Sequence, residues 1–366
     1  MVLLIHGSEV VTVKPTNPDD HDHTNDMTTH DLSELVPDGG SKSIQSPLEI
    51  SSETTVTRSE RYSEFFDTHV IAPLRIAYGD FRTRLGLIII SLYVLMGTVG
   101  VVLIPAPKTY AHPSLIKPFQ NIAYPLGTDN SGQGILAQII HATPPMIEMI
   151  ISGAIFATAV AVLVGTISGY KGGRTDRILM LITDIMMTIP GLPLVIVIGV
   201  ILQPKDPWVV GLVLTINAWA GLARNIRSQV LTLREESYIE ASRVIGMSSP
   251  RIIREDVLPN LMSYISINFV RSARNVIFGS VGLYFLGVLP FSNLNWGVMM
   301  NLAYTSGGAL SSLDTAYWLI EPMLAIILLT FGLVLFSQGL DRVFNPRIRA
   351  RHSQTVGGDE ESEEIH

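Results

Sequence analysis

Residues 238–260 read YIEASRVIGMSSPRIIREDVLPN, a charged segment inside a chain that is otherwise strongly hydrophobic. The segment is too polar to cross a bilayer, and its residue types predict two short helices around a bend. The first helix is predicted at residues 235–244 and ends at Gly246, and Ser249 with Pro250 starts the second as N-cap and first helical residue. A helical hairpin of this kind between two membrane spans predicts a docking element for a partner chain.

The rest of the chain has the composition of an integral membrane protein. Hydrophobic residues make up 47% of the 366 residues, charged residues only 16%, and the mean hydropathy is +0.37. A helix of about 20 apolar residues spans the roughly 30 Å of hydrocarbon in a bilayer. We therefore predict an all-α membrane protein with six transmembrane helices, at residues 85–104, 149–170, 179–203, 208–223, 268–289 and 318–336.

Lysine and arginine are concentrated on one side of the predicted membrane. Sixteen of them flank the first span, follow the second and fourth spans, or follow the sixth, whereas the opposite side has only Lys108, Lys117 and Lys205. Short loops rich in Lys and Arg stay in the cytoplasm. This asymmetry predicts that both termini and the hairpin are cytoplasmic, in a multi-pass protein of the cell membrane.

Both ends of the chain differ from its apolar part. Residues 1–62 contain eleven acidic and four basic residues, and residues 352–366 contain five acidic residues and no basic one. Such segments bury too little apolar surface to fold alone. We predict disordered acidic cytoplasmic tails at residues 1–62 and 351–366 around a transmembrane domain at residues 63–350. The cluster at residues 19–23 (DDHDH) has no further ligand set beside it and predicts no metal site.

Motifs for catalysis are missing from the sequence. It contains no Gly-Lys-Ser or Gly-Lys-Thr of a P-loop and no His-Glu-x-x-His zinc helix. Ser131 lacks the glycine two residues earlier that a nucleophile elbow needs. There is no cysteine, which excludes disulfides and thiol nucleophiles. The sequence therefore predicts a protein that is not an enzyme and has no catalytic residue, cofactor or metal.

Five short motifs follow one another along roughly residues 75–350. They are Pro125-Leu126-Gly127-Thr128-Asp129; residues 165–173 with Asp176, Arg177, Asp184, Ile185 and Pro190; Glu240-Ala241-Ser242 with Gly246 and Leu258-Pro259-Asn260; residues 282–283, 285–287 and 296–297; and Gly339-Leu340 with residues 345–347. Together they resemble the inner-membrane permease of ATP-binding-cassette importers of the dipeptide/oligopeptide and nickel type, the C subunit of that pair. Two departures are Ser242, where the family has alanine, and Asp256, where it generally has histidine.

The resemblance implies a function and a set of partners. In this family a second homologous permease subunit completes the translocation pathway, cytoplasmic ATP-binding-cassette ATPases drive it, and an extracytoplasmic solute-binding protein delivers the solute. Peptides (dipeptides or oligopeptides) or a similar solute are implied, with membrane lipid around the chain and no nucleic acid. Residues 231–260 would couple the spans to the ATPase, through the residues Glu240, Ala241, Ser242, Gly246, Met247, Pro250, Leu258, Pro259 and Asn260.

The residue types of the hairpin suit this role. Glu240 is expected to pair with Arg243 one turn on, or with a basic group of the partner. Pro259 is expected to separate the second helix from the next span. The expected apolar anchors of the second helix are Ile252, Ile253 and Val257.

Four ionisable residues fall at or near membrane depth, where charges are costly and usually face protein or a wet cavity. Asp184 matches the family pattern and is expected to have an architectural role near the cytoplasmic end. Arg271 and Arg274 lie three residues apart and share a helix face. They either line the pathway or extend towards the cytoplasmic interface. Glu321 is expected near the external interface.

Two alternative functions would require other sequence features. A self-contained, ion-coupled secondary transporter or channel would need broken helices in two repeated halves. The sequence has no convincing repeat, and Pro190 with Pro193 is its only strong candidate for a helix break. A membrane scaffold without transport activity would have no reason to carry the hairpin or charges at membrane depth.

Overall fold

The computed structural model describes residues 80–291 and 294–344, with the side chains described as far as residue 340. The predicted acidic tails, the cluster at residues 19–23 and the motif at residues 345–347 lie outside the described residues. Within the described part, the chain is helical, and its single β-bridge joins Thr128 to Gly134. The all-α prediction is confirmed for this part of the chain.

The helices of the described residues follow one another with short connections, apart from the longer segments that precede α2, α10 and α11. In chain order they are α1 Phe81–Leu103, α2 Ile135–Lys171, α3 Gly173–Thr188, α4 Gly191–Leu202, α5 Pro207–Leu214, α6 Trp219–Leu233, α7 Ser237–Val244, α8 Ser249–Ile252, α9 Leu258–Phe285, α10 Trp296–Thr305 and α11 Ala316–Phe344. A wider π turn at Met96–Gly100 interrupts the α geometry of α1.

By length and composition, three of the described helices can cross a membrane, and two bent pairs raise the number to five if each pair is one span. The three are α1, α2 and α11; the pairs are α3 with α4, bent by 82°, and α5 with α6, bent by 59°. α9 contains most of the fifth predicted span and is 28 residues long, but its arginine, asparagine and serine residues lower its hydropathy. The structure thus supports a multi-pass membrane protein with three to five apolar spans.

The second predicted span starts much earlier than residue 149. α2 begins at Ile135 and continues through Pro144 and Pro145 for 37 residues. The prolines and Glu148 made this region look unsuited to a span, but packing against neighbouring helices overrides local propensity. Met146, which follows the two prolines, and Met149, which follows Glu148, are fully buried. Glu148 therefore lies inside a membrane helix, which the sequence did not predict.

The third and fourth predicted spans are each broken into two helices. The first break is at Ile189 and Pro190, which are extended, so the predicted break at Pro190 is confirmed. The second break, between α5 and α6, was not predicted because no proline marks it. The two breaks meet, since Asn217 Nδ2 donates to the carbonyl oxygen of Ile189 at 3.2 Å. This hydrogen bond joins the two breaks.

Glycine allows α2 to lie directly against α5 and α6. A Cβ atom at Gly211 would be 2.4 Å from the Met149 carbonyl oxygen, and one at Gly165 would be 2.6 Å from that of Ala223. Small residues of this kind let membrane helices approach to backbone contact. α6 continues to Leu233, ten residues past the predicted end of the fourth span at residue 223, and so links the membrane part to the hairpin.

The segment between α1 and α2 is ordered around Asp129, which is 2% exposed. Its Oδ1 accepts from the backbone N–H groups of Ser131 at 2.9 Å and Gln133 at 2.8 Å, and its Oδ2 accepts from Gln138 Nε2 at 2.9 Å. The Tyr317 hydroxyl of α11 donates to the carbonyl oxygen of Thr128 at 2.8 Å. The first family motif therefore fixes this segment against the start of α11.

Candidate functional site

The structure contains the predicted hairpin, with α7 and α8 on either side of Gly246. Gly246 has φ of +87°, a conformation that only glycine adopts without strain. Its N–H donates to the Arg243 carbonyl at 3.0 Å, and the Met247 N–H donates to that of Ser242 at 3.1 Å, which caps α7. The helix limits differ slightly from the prediction. α7 starts at 237 instead of 235, and residue 248 is the N-cap of α8, with Pro250 at its second position.

Apolar side chains fix the inner face of the hairpin. Ile239 of α7 and Ile252 of α8 are 0% and 1% exposed, and both join a cluster with Val257, Ile226 and Val230. Burying one such side chain contributes about 1.5–3 kcal/mol. Of the three predicted anchors, Ile252 and Val257 are buried and tie the hairpin to the end of α6, whereas Ile253 is only partly buried.

The second helix of the hairpin runs into α9 without a break, so the prediction that Pro259 separates them is wrong. The π turn Ile253–Val257 joins α8 to α9, and Val257 and Leu258 both have right-handed helical φ and ψ. Proline is tolerated there because a π turn absorbs the lost hydrogen bond and the steric conflict of the ring. The hairpin and α9 thus form one continuous helical path.

Polar contacts also orient the hairpin. The expected pair of Glu240 with Arg243 is not among the ion pairs of the described residues. Arg243 Nη2 instead donates to the Arg234 carbonyl at 3.2 Å, and its guanidinium lies 5.4 Å from the centre of the Tyr170 ring. Arg234 Nη1 in turn donates to the Gly169 carbonyl at 3.2 Å. The hairpin is therefore connected to the ends of both α2 and α6, and Glu240 is exposed.

A tyrosine joins the two halves of the hairpin. Asn260 Nδ2 donates to the Tyr238 hydroxyl oxygen at 3.2 Å and to the Asp256 carbonyl at 2.6 Å. Burial, and then the carboxylates of Glu236 and Asp256, raise the pKa of Tyr238. The phenol therefore stays protonated at neutral pH. Among the predicted coupling residues, Asn260 thus has a defined structural contact.

The outer face of the hairpin carries two apolar residues that sequence reasoning missed. Val244 and Ile245 are 81% and 80% exposed at the end of α7. A cavity of about 810 Å³ between the hairpin and the ends of α2 and α6 is lined by Tyr170, Lys171, Arg234, Glu235, Glu240, Arg243, Met247, Ser249 and Ile252. The sequence signal for this exposed pair was the position of Val244 and Ile245 directly before a capping glycine in a polar segment. Exposed apolar side chains rimmed by charges are typical of a protein contact.

Two ion pairs connect α3 to α6 next to the hairpin. Asp184 pairs with Arg224 across these helices, and both side chains are about half exposed, so the pair contributes modestly to stability. Asp176 is less exposed and accepts from Arg227 Nη2 at 2.6 Å and also from Ser168. Asp184 thus has a partner suited to the architectural role expected of it.

Arg271 and Arg274 lie on one side of α9, next to two neighbouring cavities. Arg271 is exposed and lines both, a cavity of about 240 Å³ facing the end of α5 and α6 and one of about 340 Å³ that also contains Arg274 and Ser337. Within the described residues, Nε of Arg274 is buried without a hydrogen-bond partner. An arginine at the centre of a membrane helix costs about 2.5–3.5 kcal/mol or more.

Two carboxylates in membrane helices are separate from these groups. Glu148 is partly buried in α2. Glu321 lies near the start of α11, and its Oε2 is buried without a hydrogen-bond partner in the part of the chain that the structure describes. Neither carboxylate lines the cavities beside Arg271.

Sequence comparison shows which known proteins this chain resembles. Residues 161–350 match the family described as the binding-protein-dependent transport system inner membrane component. The chain is 30% identical over 272 residues to the dipeptide transport system permease protein DppC of Bacillus subtilis, covering 72% of this chain and 81% of the relative. It is 31% identical over 225 residues to the oligopeptide transport system permease protein OppC of the same species, covering 61% of this chain and 72% of the relative. A similar protein in Haemophilus influenzae, also an oligopeptide permease OppC, is 28% identical over 226 residues, 61% of this chain and 70% of the relative.

Proposed function

This chain belongs to the binding-protein-dependent transport system inner membrane component family, as a permease subunit of the C type in an ATP-binding-cassette importer, and we propose that its solute is a peptide and that residues 231–260 couple it to an ATPase. The relatives named as dipeptide and oligopeptide permeases support peptides as the solute class. Members of this family work with an ATPase and a binding protein, so the family implies these two partners. The family is a component of membrane transport and is not generally an enzyme.

The construction of the hairpin carries the coupling proposal. One face is fixed by buried Ile239 and Ile252, while the other exposes Val244, Ile245 and Glu240. A rigid element with an exposed apolar tip suits insertion into a cleft of a partner. The unbroken passage from α8 through the π turn into α9 gives it a direct mechanical link to the membrane part.

The proposed roles of the predicted coupling residues follow from their positions. Gly246 sets the bend, Ala241 and Ser242 on α7 and Met247 and Pro250 beside the bend shape the docking surface, and Glu240 meets a basic group of the ATPase. Leu258, Pro259 and Asn260 form the start of α9 and transmit the movement. Asp184 supports the arrangement through its pair with Arg224.

The proposed topology has six spans, with α9 as one of them, and both termini in the cytoplasm. A transmembrane domain at residues 63–350 lies between acidic tails at residues 1–62 and 351–366. The Lys and Arg asymmetry of the loops supports this orientation, and the second permease subunit completes the pathway. Inside-out and right-side-out vesicles treated with a protease test it, because the hairpin and the tails would be cut only in inside-out vesicles.

The test of function is affinity purification of the chain from its own membranes in mild detergent, beside a Glu240→Lys, Gly246→Arg double variant. We expect a second permease and P-loop ATPases to co-purify with the native chain, and the ATPases to be lost from the variant. A Lys108→Glu variant is the control, because it reverses a charge far from the hairpin in the sequence. It should retain the ATPases.

Two results would contradict the proposal. Retention of the ATPases by the double variant would refute the docking site. Recovery of the chain alone, with solute uptake that follows an ion gradient instead of ATP, would favour a secondary transporter.

A further inference from the structure

A stripe of polar residues runs along α9 and faces the broken span formed by α5 and α6. The stripe consists of Asn268, Arg271, Ser272 and Asn275, which are three, four and seven residues apart and so share one helix face. Asn225 of α6 and the backbone turn between α5 and α6 form the opposite wall of a cavity of about 240 Å³. We call this set of residues the polar cleft.

Irregular backbone lines part of the polar cleft. Thr215 and Ala218, at the ends of the helix break, line it. Irregular backbone at membrane depth is tolerated only where it is buried in protein or lines a water-filled cavity. Asn225 is eight residues before the end of α6, which places the cleft about 12 Å along the helix from that end.

The charge of the polar cleft is positive and uncompensated. Arg271 lines it and Arg274 follows on the next turn, in the cavity that shares Arg271 and Asn268. In the described part of the chain, neither arginine belongs to an ion pair, and the Nε of Arg274 has no hydrogen-bond partner. The planar guanidinium of arginine binds carboxylate and phosphate groups through its fork of donors.

We propose that the polar cleft is a station for the carboxylate group of the passing solute, with Arg271 as its main contact and Arg274 as a second positive charge. The asparagine amides beside Arg271 supply neutral donors and acceptors for a peptide backbone. This inference rests on the proposed function, because a peptide carries the required carboxylate at its C-terminus. The charge speeds the entry of anionic solutes and disfavours cationic ones.

A thiol-labelling experiment tests the cleft itself, because the chain has no native cysteine. A Ser272→Cys variant in native membranes is labelled with an anionic (sulfonatoethyl) or a cationic (trimethylammonioethyl) methanethiosulfonate reagent. Rates are normalised to those with a free thiol in solution. With one charge about 6 Å away in water, Coulomb's law gives roughly a tenfold preference for the anionic reagent.

The controls separate the charge of the cleft from other effects. We expect the tenfold preference to fall to about one when Arg271 and Arg274 are both changed to Gln. It should persist in Arg174→Gln, which removes one positive charge at an exposed site on α3. Trialanine should slow anionic labelling, whereas trialanine amide, which lacks the carboxylate, should not. Co-purification of the ATPases with the Ser272→Cys chain shows whether the importer is intact.

Three results would overturn the proposal. The first is that neither reagent labels the cleft. The second is that the preference for the anionic reagent survives the loss of both arginines. The third is that phosphatidylglycerol vesicles protect the thiol and trialanine does not, which would assign the arginines to lipid headgroups. Any of these in an assembly that keeps its ATPases refutes the station and leaves the proposed function standing. Loss of the ATPases from an otherwise native chain refutes the proposed function instead.

Discussion

The contact between α2 and α6 should limit both stability and coupling, and Gly165→Ala is the sharpest probe of it. An added Cβ would lie 2.6 Å from the carbonyl oxygen of Ala223 and 2.8 Å from Cβ of Ile226. The helices would have to move apart by about 0.8 Å to reach the 3.4 Å of ordinary contact. Because one of the opposing atoms belongs to the backbone, no side-chain rotation relieves the clash.

The expected magnitude combines two opposing effects. Overpacking of a core costs about 1–3 kcal/mol, whereas replacing a helical glycine by alanine gains about 0.5–1 kcal/mol. Gly165→Ala should therefore lose up to about 2.5 kcal/mol. Gly221→Ala on α6 is the matched control, since an added Cβ there meets nothing within 4 Å, and it should gain about 0.5–1 kcal/mol.

The assay is the apparent Tm of the purified chain in mild detergent, with ATPase activity of the assembly measured beside it. We expect Gly165→Ala to unfold a few degrees below Gly221→Ala, since 1 kcal/mol corresponds to about 2–4 °C for a protein of this size class. We also expect weaker stimulation of the ATPase by solute, because α6 positions the hairpin. Equal melting temperatures for the two variants would refute the close packing of α2 on α6.

Three further results are expected. Val244→Ser with Ile245→Ser should leave the Tm unchanged, because both side chains are exposed, yet reduce ATPase co-purification about tenfold or more; full recovery of the ATPases would exclude this tip from docking. Arg227→Leu should lower stability by about 1.5–3 kcal/mol, because the partly buried Asp176 loses its partner, and adding Asp176→Leu should restore part of the Tm; no rescue would show that the pair is not the cause. Asp129→Ala should expose residues 104–134 to limited proteolysis, because several hydrogen bonds end on this carboxylate; an unchanged digestion pattern would contradict its role.

Much of the fold could be predicted from local residue patterns. The apolar runs of α1 and α11 were located to within a few residues, apart from the longer C-terminal end of α11, and Gly246 and Pro190 marked the bend and the first helix break. These features depend on chemistry within a few residues of the chain, such as the positive φ of Gly246 or the missing N–H of proline. The family resemblance, based on motifs in order, was confirmed by the match over residues 161–350.

Other features depended on contacts between distant residues. The start of α2 was missed because Glu148 and two prolines interrupt its apolar pattern, yet the helix continues where neighbouring helices bury Met146 and Met149. The break between α5 and α6 has no proline, and its position is held by a hydrogen bond from Asn217 to Ile189. Local sequence does not encode a partner that lies 28 residues away.

The sequence by itself determined that this chain is a helical membrane protein with a polar hairpin, because hydropathy and capping are properties of neighbouring residues. It also determined that two arginines share a face of one helix. Only the tertiary structure decided what that face meets, because the rotation of α9 is set by packing of its other side against α2 and α10, where Val276 and Tyr284 are 1% exposed. That packing turns Arg271 towards the broken helices and a cavity.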